Sequence, residues 1–402
     1  MTCDSRHIDL VENHDQQSGS SWVGTDAPRS DYRGLYIHIP FCSRRCIYCD
    51  FTTRAIASDS PELDEYRDHL IREIRKATRE GLLGSIETIY IGGGTPSYFG
   101  HGRLVDLVYT LSLSINLNDN SEFTLEANPE SLTSAMMRDL YSLGVNRFSL
   151  GVQSFVDSEL RWLGRGHDSR QARDAITMIR ERCDNVAIDL ICGIPKQTIR
   201  SWQQSIESAV ETGVTHISVY PLTVEEDTPL SAMIASGEAR PPDNDLQAEM
   251  MQIAAEILPS KGFARYEVAS YAQPGYQCRH NISYWSGIPY LGLGKGAAGM
   301  RNLGDNRERL LAGQVVERLA PAQSRAEDLM LGMRMSRGVS IEDVRSAQSL
   351  IPSIESVFAE LVTLGLTKVL DGRYQPTARG WLLGNELYGR IWASVDSDGI
   401  QV

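Results

Sequence analysis

Three cysteines stand close together near the start of the chain, and their spacing predicts an iron–sulfur site. Cys42, Cys46 and Cys49 share one short segment. Three thiolates spaced in this way can bind three irons of a four-iron, four-sulfur cubane, which leaves the fourth iron without a protein ligand. An open iron is a docking point for a small chelating molecule, whereas the four cysteines of an electron-transfer ferredoxin close the cluster. We therefore expect a 4Fe-4S cluster with one open iron.

A structural zinc site is the main alternative for the same cysteines. Zinc prefers four ligands in a tetrahedron, and His38 is close enough in sequence to supply the fourth. No second paired cysteine motif stands elsewhere in the chain. The seven cysteines are an odd number and no secretory signal precedes them, so a reducing, cytoplasmic setting is expected rather than disulfides. Four cysteines stand singly and are expected to be buried or incidental thiols: Cys3, Cys183, Cys192 and Cys278.

The composition limits the classes of protein to which the chain can belong. With 402 residues, 42% hydrophobic and 23% charged, it suits one large domain with a smaller one appended. A formal charge of -13 opposes broad attraction to nucleic acid or to an anionic membrane surface. No apolar run reaches the length of a membrane span, so no integral membrane segment is expected, although a transient membrane contact is compatible with this. Residues 1–30 are expected to form a flexible leader, without the pattern of a signal peptide.

The elements that must position the cysteines alternate between short apolar runs and longer amphipathic segments. This pattern predicts an α/β fold with a parallel sheet, built as a partial barrel of six strand–helix units. The candidate strands are Leu35 to Ile39, Thr88 to Ile91, Glu122 to Glu126, Arg147 to Val152, Val186 to Ile191 and His216 to Pro221. The candidate helices include Leu63 to Thr78, Ser131 to Leu143, Ser169 to Arg182 and Ser201 to Thr212. The cysteine segment follows the first strand, where loops at the carboxyl ends of such strands build active sites.

A glycine-rich loop, Ile91 to Ser97, directly follows the second candidate strand. Its three successive glycines remove side chains and let backbone polar groups approach a ligand closely. A sharp turn before Pro96 would need glycine for conformational reasons alone. The sequence leaves both explanations open.

Several longer segments of the chain resemble a known superfamily. They are Leu35-Tyr-Ile-His-Ile-Pro-Phe-Cys42, the Gly-Gly-Gly-Thr-Pro loop, Glu126-Ala-Asn-Pro-Glu130, Phe148-Ser-Leu-Gly-Val-Gln-Ser-Phe155, Leu163-Gly-Arg-Gly-His167, Ile188-Asp-Leu-Ile-Cys-Gly-Ile-Pro195 and Pro274-Gly-Tyr-Gln-Cys-Arg-His-Asn-Ile-Ser-Tyr-Trp285. Together they are similar to the radical S-adenosylmethionine (radical SAM) superfamily. Within it they resemble the oxygen-independent coproporphyrinogen III oxidases and their haem chaperone relatives of the HemW type.

The resemblance implies a set of cofactors and residues. Cys42, Cys46 and Cys49 would ligate the cluster, and S-adenosylmethionine would chelate the open iron. The implied cofactor contacts are Tyr36 and Tyr48 beside the cluster, Gly93, Gly94 and Thr95 at the methionyl end, Glu126 and Asp189 at ribose hydroxyls, and Gln153 and Arg165. Each has a simpler explanation taken alone: a carboxylate can cap a helix, an arginine can form a surface ion pair, and a tyrosine can be a half-buried strand residue. No catalytic residue is assigned.

One position separates the oxidases from the chaperones. The oxidases carry a further Cys two positions beyond the third cluster ligand, and this chain has Phe51 there. His280 lies in a segment similar to a chaperone signature, and as an exposed imidazole beside Tyr284 and Trp285 it would suit a porphyrin and could ligate haem. The alternative, left open by the sequence, is that His280 hydrogen-bonds locally and Trp285 is a core residue. In the relatives, a His usually stands where this chain has Ala298. Haem binding would then depend on His280, His38, a cysteine or another group.

The C-terminal region changes character from about Ser324. Helices over Glu327 to Met335 and Ile351 to Leu364, a hairpin with an Asp371-Gly372 turn and a final helix, Thr377 to Arg390, predict a winged-helix-like domain. The expected domains are then the leader, a radical SAM barrel over residues 31–240, a barrel extension over 241–323 and this domain over 324–402. Since no basic stripe is present, we expect it to cover the barrel mouth or to dock a partner rather than to bind DNA.

The resemblance implies a haem chaperone that holds the cluster, S-adenosylmethionine and haem and delivers haem to acceptor apoproteins, with an electron donor for the cluster as a further partner. The alternative is an enzyme, an oxygen-independent coproporphyrinogen III oxidase that decarboxylates propionate side chains. A third class, radical modification of tRNA, shares the cysteine spacing but lacks support from a basic or auxiliary cluster-binding segment. Whether the protein is an enzyme stays open at this point.

Overall fold

The structure, a computed structural model, describes residues 31–118 and 120–397. Its main sheet contains twelve strands in the described residues, and six neighbouring parallel strands of this sheet form a partial barrel. The barrel strands are β1 (Gly34–Ile39), β4 (Thr88–Gly93), β5 (Glu122–Ala127), β6 (Arg147–Gln153), β7 (Val186–Cys192) and β8 (His216–Pro221). All six coincide with the candidate strands to within two residues at each end. The predicted α/β class and partial six-unit barrel are therefore confirmed.

Alternation along the strands creates the two faces of the barrel. In β6, Phe148, Leu150 and Val152 are fully buried in the hydrophobic core beneath the surrounding helices. Arg147 and Ser149 point the other way and line the interior. Because side chains in a strand alternate between faces, this period of two gives an apolar exterior and a polar interior. The interior is thus available for a ligand rather than for core packing.

Helices cover the outer face of the barrel. Those between or after the barrel strands are α1 (Pro61–Arg79), α2 (His101–Ser114), α3 (Ser134–Ser142), α4 (Asp157–Trp162), α5 (Ser169–Arg180), α6 (Ile199–Glu211), α7 (Pro229–Ala235) and α8 (Asn244–Ser260), with a short 3-10 turn over Pro96–Phe99. The helix ends are fixed by local hydrogen bonds. At the start of α5, the Asp168 side chain accepts from the backbone N–H of Gln171 at 2.8 Å, and the Gln171 side chain accepts from the backbone N–H of Asp168. The four predicted helices are all present, and α2, α4, α7 and α8 are additional.

The sheet extends beyond the barrel on both sides. A second pair of strands, β2 (Phe41–Cys42) and β3 (Arg54–Ala55), brackets the cysteine loop. The extension strands are β9 (Ala264–Arg265), β10 (Ser270–Ala272), β11 (Tyr290–Leu293), β12 (Ala298–Leu303), β13 (Asn306–Leu311) and β14 (Gln314–Leu319), and α9 (Arg279–Trp285) lies between β10 and β11. β11 joins β1 in parallel, and β12 to β14 continue antiparallel from it.

The C-terminal region has its own hydrophobic core. It contains α10 (Pro321–Gly332), β15 (Val339–Ser340), α11 (Ile341–Ala347), α12 (Ile354–Thr363), β16 (Thr367–Leu370), β17 (Arg373–Pro376), α13 (Ala378–Leu382) and α14 (Gly384–Ser397). Asp371 and Gly372 have φ of 49° and 71°, the left-handed pair that a two-residue hairpin turn requires. The predicted winged-helix-like arrangement of helices and hairpin is present, with the final helix divided in two.

This region packs on the barrel away from the cysteine loop. The Arg334 guanidinium lies between Trp285 of α9 and Tyr388 of α14, at 5.2 and 4.5 Å from the ring centroids. No residue beyond Asn281 lines the barrel cavity described below, as far as the described residues extend. The contacts of this domain are to α9, to Arg265 of β9 and, through the ion pairs of Arg307 and Arg309 with Glu327, to β13 at the opposite edge of the sheet. Of the two expected roles, covering the barrel mouth does not agree with these contacts, and docking a partner stays a prediction. Nowhere in residues 31–118 and 120–397 is there a helix long and apolar enough to cross a membrane.

Candidate functional site

A cavity of about 360 Å³ occupies the interior of the barrel. All three cysteines of the loop line it, and so do Arg147 at the start of β6 and Gln153 at its end. Six residue steps at about 3.3 Å each separate these two positions, so the cavity spans roughly 20 Å from the cysteine loop to the closed end of the barrel. The polar faces of the strands therefore meet a single continuous space.

The cysteine loop is held to the barrel by His38. One ring nitrogen, Nδ1, lies 2.8 Å from the Tyr36 hydroxyl, and Nε2 donates to the Thr52 carbonyl at 3.0 Å. Tyr66 donates to the His38 carbonyl at 2.8 Å. With both ring nitrogens bonded, His38 is not free to be a fourth metal ligand or a haem ligand, so it is a positioning residue that ties the loop to β1.

Two hydrogen-bond donors approach the cysteine sulfurs. Among the described residues, no three His, Cys, Asp or Glu side chains are placed to share one ion. A cubane would instead spread its ligands over different irons. Arg165 approaches Cys46 Sγ with its Nη1 at 3.5 Å, and Thr95 Oγ1 lies 3.4 Å from Cys42 Sγ. These donors offset the negative charge of ligating thiolates, as outer-shell groups do at metal sites.

Burial raises the pKa of Cys42 and of Cys49 in the absence of a cluster. Neutral thiols are therefore favoured, and ligation of iron by these cysteines would require the release of their protons because only thiolates ligate iron. Of the three cysteines, Cys42 is buried and Cys46 and Cys49 are half-buried. The loop can be reached from the cavity mouth, where Phe51 is 65% exposed.

The glycine-rich loop packs against the cysteine loop. Gly94 donates to the Ile39 carbonyl at 2.8 Å, and Thr95 donates to the Phe41 carbonyl at 2.9 Å. A Cβ on Gly94 would lie 2.8 Å from the Phe41 carbonyl oxygen and 2.9 Å from Cys42 Sγ. Glycine is required here because the two loops approach so closely. The motif therefore meets a conformational need, and it can also approach a ligand, since Gly93, Gly94 and Thr95 line the cavity.

The backbone amides of this loop are not free for a ligand. Gly93 N–H donates to Glu126 Oε2 at 3.1 Å, so all three amides, of Gly93, Gly94 and Thr95, already have protein acceptors. They cannot also receive a methionyl carboxylate in this conformation. Any contact of these residues with S-adenosylmethionine must use other atoms.

Glu126 lies at the centre of a hydrogen-bonded group in the cavity wall. Tyr90 donates to its Oε1 at 2.6 Å, and Gly93 N–H donates to Oε2. Burial raises the pKa of Glu126 to about 7, and the charge of Asp189 adds to this effect. Burial likewise raises the pKa of Asp189 to about 6, against the opposing effects of Ser218 and Arg147. Two carboxyl groups that titrate near neutrality face the same cavity, as expected for groups that bind sugar hydroxyls or exchange protons.

Two further motifs interlock around Arg165. Its Nη2 donates to Asn128 Oδ1 at 2.7 Å and to the Gly151 carbonyl at 2.6 Å. Two residues further along each segment, His167 Nδ1 lies 3.1 Å from Glu130 Oε2. The segments after β5 and α4 are therefore joined by two matched contacts, which fix the guanidinium beside the cysteine loop.

The remaining predicted residues divide into cavity and framework positions. Gln153 and Tyr48 line the cavity, and Gln153 has φ of 70° at the end of a bulged strand. Such a conformation is costly for a side-chain-bearing residue and is typical of functional sites. Tyr36 is not among the cavity-lining residues; its hydroxyl bonds His38 and its ring lies 6.3 Å from that of Tyr90. Tyr36 therefore supports the site through its contacts with His38 and Tyr90 and does not line the cavity.

The structure decides between the two explanations of His280 in favour of local hydrogen bonding. His280 is 1% exposed, Nδ1 lies 2.8 Å from Thr88 Oγ1 and Nε2 lies 2.7 Å from the Tyr284 hydroxyl. The expectation of an exposed imidazole is wrong, because α9 inserts into the closed end of the barrel, where His280 stacks on Tyr90 at 5.2 Å. With both nitrogens bonded it is not free to ligate haem. Ala298 is exposed at the start of β12 and does not line the cavity.

Sequence reasoning missed several polar residues that line the cavity, among them Tyr90, Asn128, Arg147, His216 and Ser218. Alternation within the strands could have found four of them. Tyr90, Arg147, His216 and Ser218 are polar residues at every second position of otherwise apolar segments. Asn128, which bonds Arg165 and Thr95, needed the tertiary structure.

The chain is similar to a known superfamily and to curated proteins. The sequence profile of the radical SAM superfamily matches residues 36–209, and that of the HemN C-terminal domain matches residues 319–383. Heme chaperone HemW from Synechocystis is 34% identical over 359 residues, which cover 84% of this chain and 85% of that protein. Heme chaperone HemW from Bacillus subtilis is 32% identical over 377 residues, covering 89% and 98%.

A solved structure shares the fold. Coproporphyrinogen III oxidase (HemN) from Escherichia coli matches with a TM-score of 0.75 at 21% identity, covering 93% of this chain and 92% of that chain. The superposition extends over the barrel, its extension and the C-terminal region. At this level of identity the likeness concerns the architecture alone.

Proposed function

We propose that this chain, which belongs to the radical SAM superfamily and to its HemW-type haem chaperone family, binds a 4Fe-4S cluster, S-adenosylmethionine and haem and passes haem to acceptor apoproteins. The observation that carries the proposal is the residue set of the cysteine loop. Three cysteines line the cavity, and the position of a further Cys in the resembling oxidases holds Phe51. The names of the HemW relatives support the haem part of the proposal.

The residues present fit the two cofactors that the superfamily implies. Cys42, Cys46 and Cys49 would hold the cluster, and Arg165 would balance its charge. Glu126 and Asp189 offer carboxylate acceptors to ribose hydroxyls. When bound, the two cofactors together supply one-electron chemistry at the sulfonium, for which an external electron donor is a further proposed partner. The chain's own residues orient S-adenosylmethionine, exclude water from it and hold protons at Glu126 and Asp189.

Haem binding needs apolar contact with a flat macrocycle, and one exposed aromatic ring stands at the cavity mouth. Phe51 exposes an aromatic ring beside the cysteine loop, where a solvent-facing phenyl group has no packing role. Stacking on a flat macrocycle would bury this ring. We therefore place the haem contact at the mouth and not at His280. Since both ring nitrogens of His38 and His280 are bonded, an axial ligand would have to come from elsewhere.

The test is anaerobic reconstitution with iron and sulfide, followed by haem titration monitored at the Soret band. We expect saturable haem binding by the wild type and at least about fivefold weaker binding by Phe51→Ala, as loss of one aromatic contact predicts. Leu113→Ala is the matched control, because Leu113 is a 71% exposed apolar side chain on α2, outside the cavity lining. Equal loss in both variants would contradict the placement at the mouth.

The competing enzyme is tested on the same preparation. Reduced, reconstituted protein is incubated with coproporphyrinogen III and S-adenosylmethionine, and carbon dioxide is measured. We expect no release above a Cys46→Ser control. Turnover with release of carbon dioxide, or a wild type that takes up no haem, would overturn the chaperone proposal.

A further inference from the structure

Two buried side chains at the closed end of the barrel have no role in the cofactor contacts above. Arg147 begins β6 and His216 begins β8, and both line the cavity. They are 2% and 1% exposed. They lie at the opposite end of their strands from Gln153 and Pro221, roughly a full strand length from the loop that holds the cysteines. This region, formed by Arg147 and His216, is called the barrel floor below.

The Arg147 guanidinium is a buried cation without a hydrogen-bonding partner. It forms no hydrogen bond or ion pair with any other described residue, and its Nε is fully shielded from solvent. Glu122 is near enough to influence Arg147 electrostatically. Its oxygens are already used, since Oε2 accepts from Arg279 N–H at 2.8 Å and Oε1 from His280 N–H at 2.9 Å. Buried guanidinium groups are normally paired, so the bare donors of Arg147 require an acceptor.

His216 presents a second donor without a partner. Its Nε2 lies 2.8 Å from the Tyr266 hydroxyl, and that hydroxyl oxygen accepts from Cys278 N–H at 3.2 Å. The Tyr266 proton is then available to donate to Nε2, which places the ring proton of neutral His216 on Nδ1. Nδ1 is buried and has no partner in the described structure. Burial and the charge of Arg147 lower the pKa of His216 well below its usual value, which keeps the ring neutral.

We propose that Arg147 and His216 bind a carboxylate group at the barrel floor. Both unpartnered groups donate, so the missing ligand must accept. The guanidinium adds one positive charge, and its planar fork matches the two oxygens of a carboxylate. A phosphate dianion would place excess negative charge near Glu122, Glu126 and Asp189, whereas a monoanion is balanced by Arg147. Water would satisfy the donors but would not form a charge-assisted contact with the guanidinium.

Two classes of ligand could supply this carboxylate group. It is either one arm of a propionate-bearing tetrapyrrole that enters from the mouth, or a small free carboxylic acid that occupies the floor alone. The floor site goes beyond the proposed haem transfer and does not require it. Its test must therefore separate the two sources and remain informative if haem is not bound.

The first experiment uses the full-length apoprotein and small ligands. Propionate is titrated by calorimetry at constant ionic strength, against chloride and against propionamide, its neutral isostere. We expect binding of propionate alone, weakened at least about tenfold by Arg147→Gln, the loss that one charge-assisted contact predicts. Arg147→Lys should bind with intermediate affinity, and Arg75→Gln, at an exposed residue of α1, should bind as the wild type does.

The second experiment uses a tetrapyrrole and its ester. Mesoporphyrin IX and its dimethyl ester are titrated against the wild type, Arg147→Gln and Arg75→Gln. If the wild type and Arg75→Gln bind the diacid more tightly than the diester and Arg147→Gln does not, the carboxylate at the barrel floor is a propionate group of the tetrapyrrole. A propionate response without a diacid preference assigns it to a small acid.

The outcomes also separate this site from the proposed function. Equal binding of propionate and propionamide by the wild type, together with equal binding of diacid and diester, overturns the carboxylate site and leaves haem binding untouched. That comparison needs no variant, so it holds even if Arg147→Gln does not fold. Conversely, failure of the wild type to bind any porphyrin overturns the haem proposal, and the propionate titration still decides the floor.

Discussion

Replacement of Glu126 by glutamine should change the pH dependence of folding. The pKa of Glu126 is raised from 4.5 to about 7 in the folded chain, chiefly by burial. A raised carboxyl pKa means that the folded state binds the proton more tightly than the unfolded state does. The carboxylate therefore costs stability, and this cost grows from about pH 4.5 and is complete above about pH 7. At 1.36 kcal/mol per pKa unit, the upper limit of the cost is about 3 kcal/mol.

The glutamine side chain of this variant cannot ionise, so the substitution removes this cost. The amide still accepts one hydrogen bond, but one of the two donors, Tyr90 O–H or Gly93 N–H, now faces an NH₂ group. That loss is about 1–2 kcal/mol and does not depend on pH. The variant should be less stable than the wild type at pH 5 and gain about 2–3 kcal/mol relative to it by pH 8.

The assay is urea unfolding of the apoprotein at several pH values between 5 and 8, with the difference between variant and wild type plotted against pH. Glu211→Gln, at an exposed position ending α6, is the control and should give a flat difference. A flat difference for Glu126→Gln, or one that falls with pH, would refute the argument that Glu126 is buried and strained at neutral pH.

Three other changes test the site and its supports. Cys46→Ser should lose the visible absorption of a reconstituted cluster while far-ultraviolet circular dichroism stays unchanged, since Cys46 is half-buried and makes no core contact; retention of full iron content would contradict ligation. Arg165→Lys should leave the fold intact but lower cluster occupancy, because a point charge cannot bridge Cys46, Asn128 and the Gly151 carbonyl together; iron and sulfide analysis measures it, and unchanged occupancy would count against the charge-balancing role. His280→Ala should destabilise the chain by about 3 kcal/mol in urea, since two buried hydrogen bonds and the stacking on Tyr90 are lost. In that variant haem affinity should not change, whereas His69→Ala on the exposed face of α1 should alter neither property.

Much of the site was predictable because its signals are local. The cysteine spacing, the Gly-Gly-Gly turn and the Asp371-Gly372 hairpin each depend on a few consecutive residues whose geometry is set by bond rotations and sterics. The six barrel strands were visible for a similar reason, as short β-branched runs between helical segments. The family motifs added the cofactor residues.

What the sequence alone determined is therefore the chemistry available, three thiolates on one loop and carboxylates at strand ends, together with the class of fold that carries them. The tertiary structure decided which polar groups are free to bind a ligand. The sequence left open whether His280 is exposed or bonded, and in the structure α9 enters the barrel and both ring nitrogens have partners, 192 and 4 residues away along the chain. The amides of the glycine loop are likewise taken by Glu126 and the cysteine loop. Arg147 and His216, by contrast, are left without acceptors among the described residues. Such pairings depend on which distant segments meet in the folded barrel, and a donor's neighbours in space cannot be deduced from its neighbours along the chain.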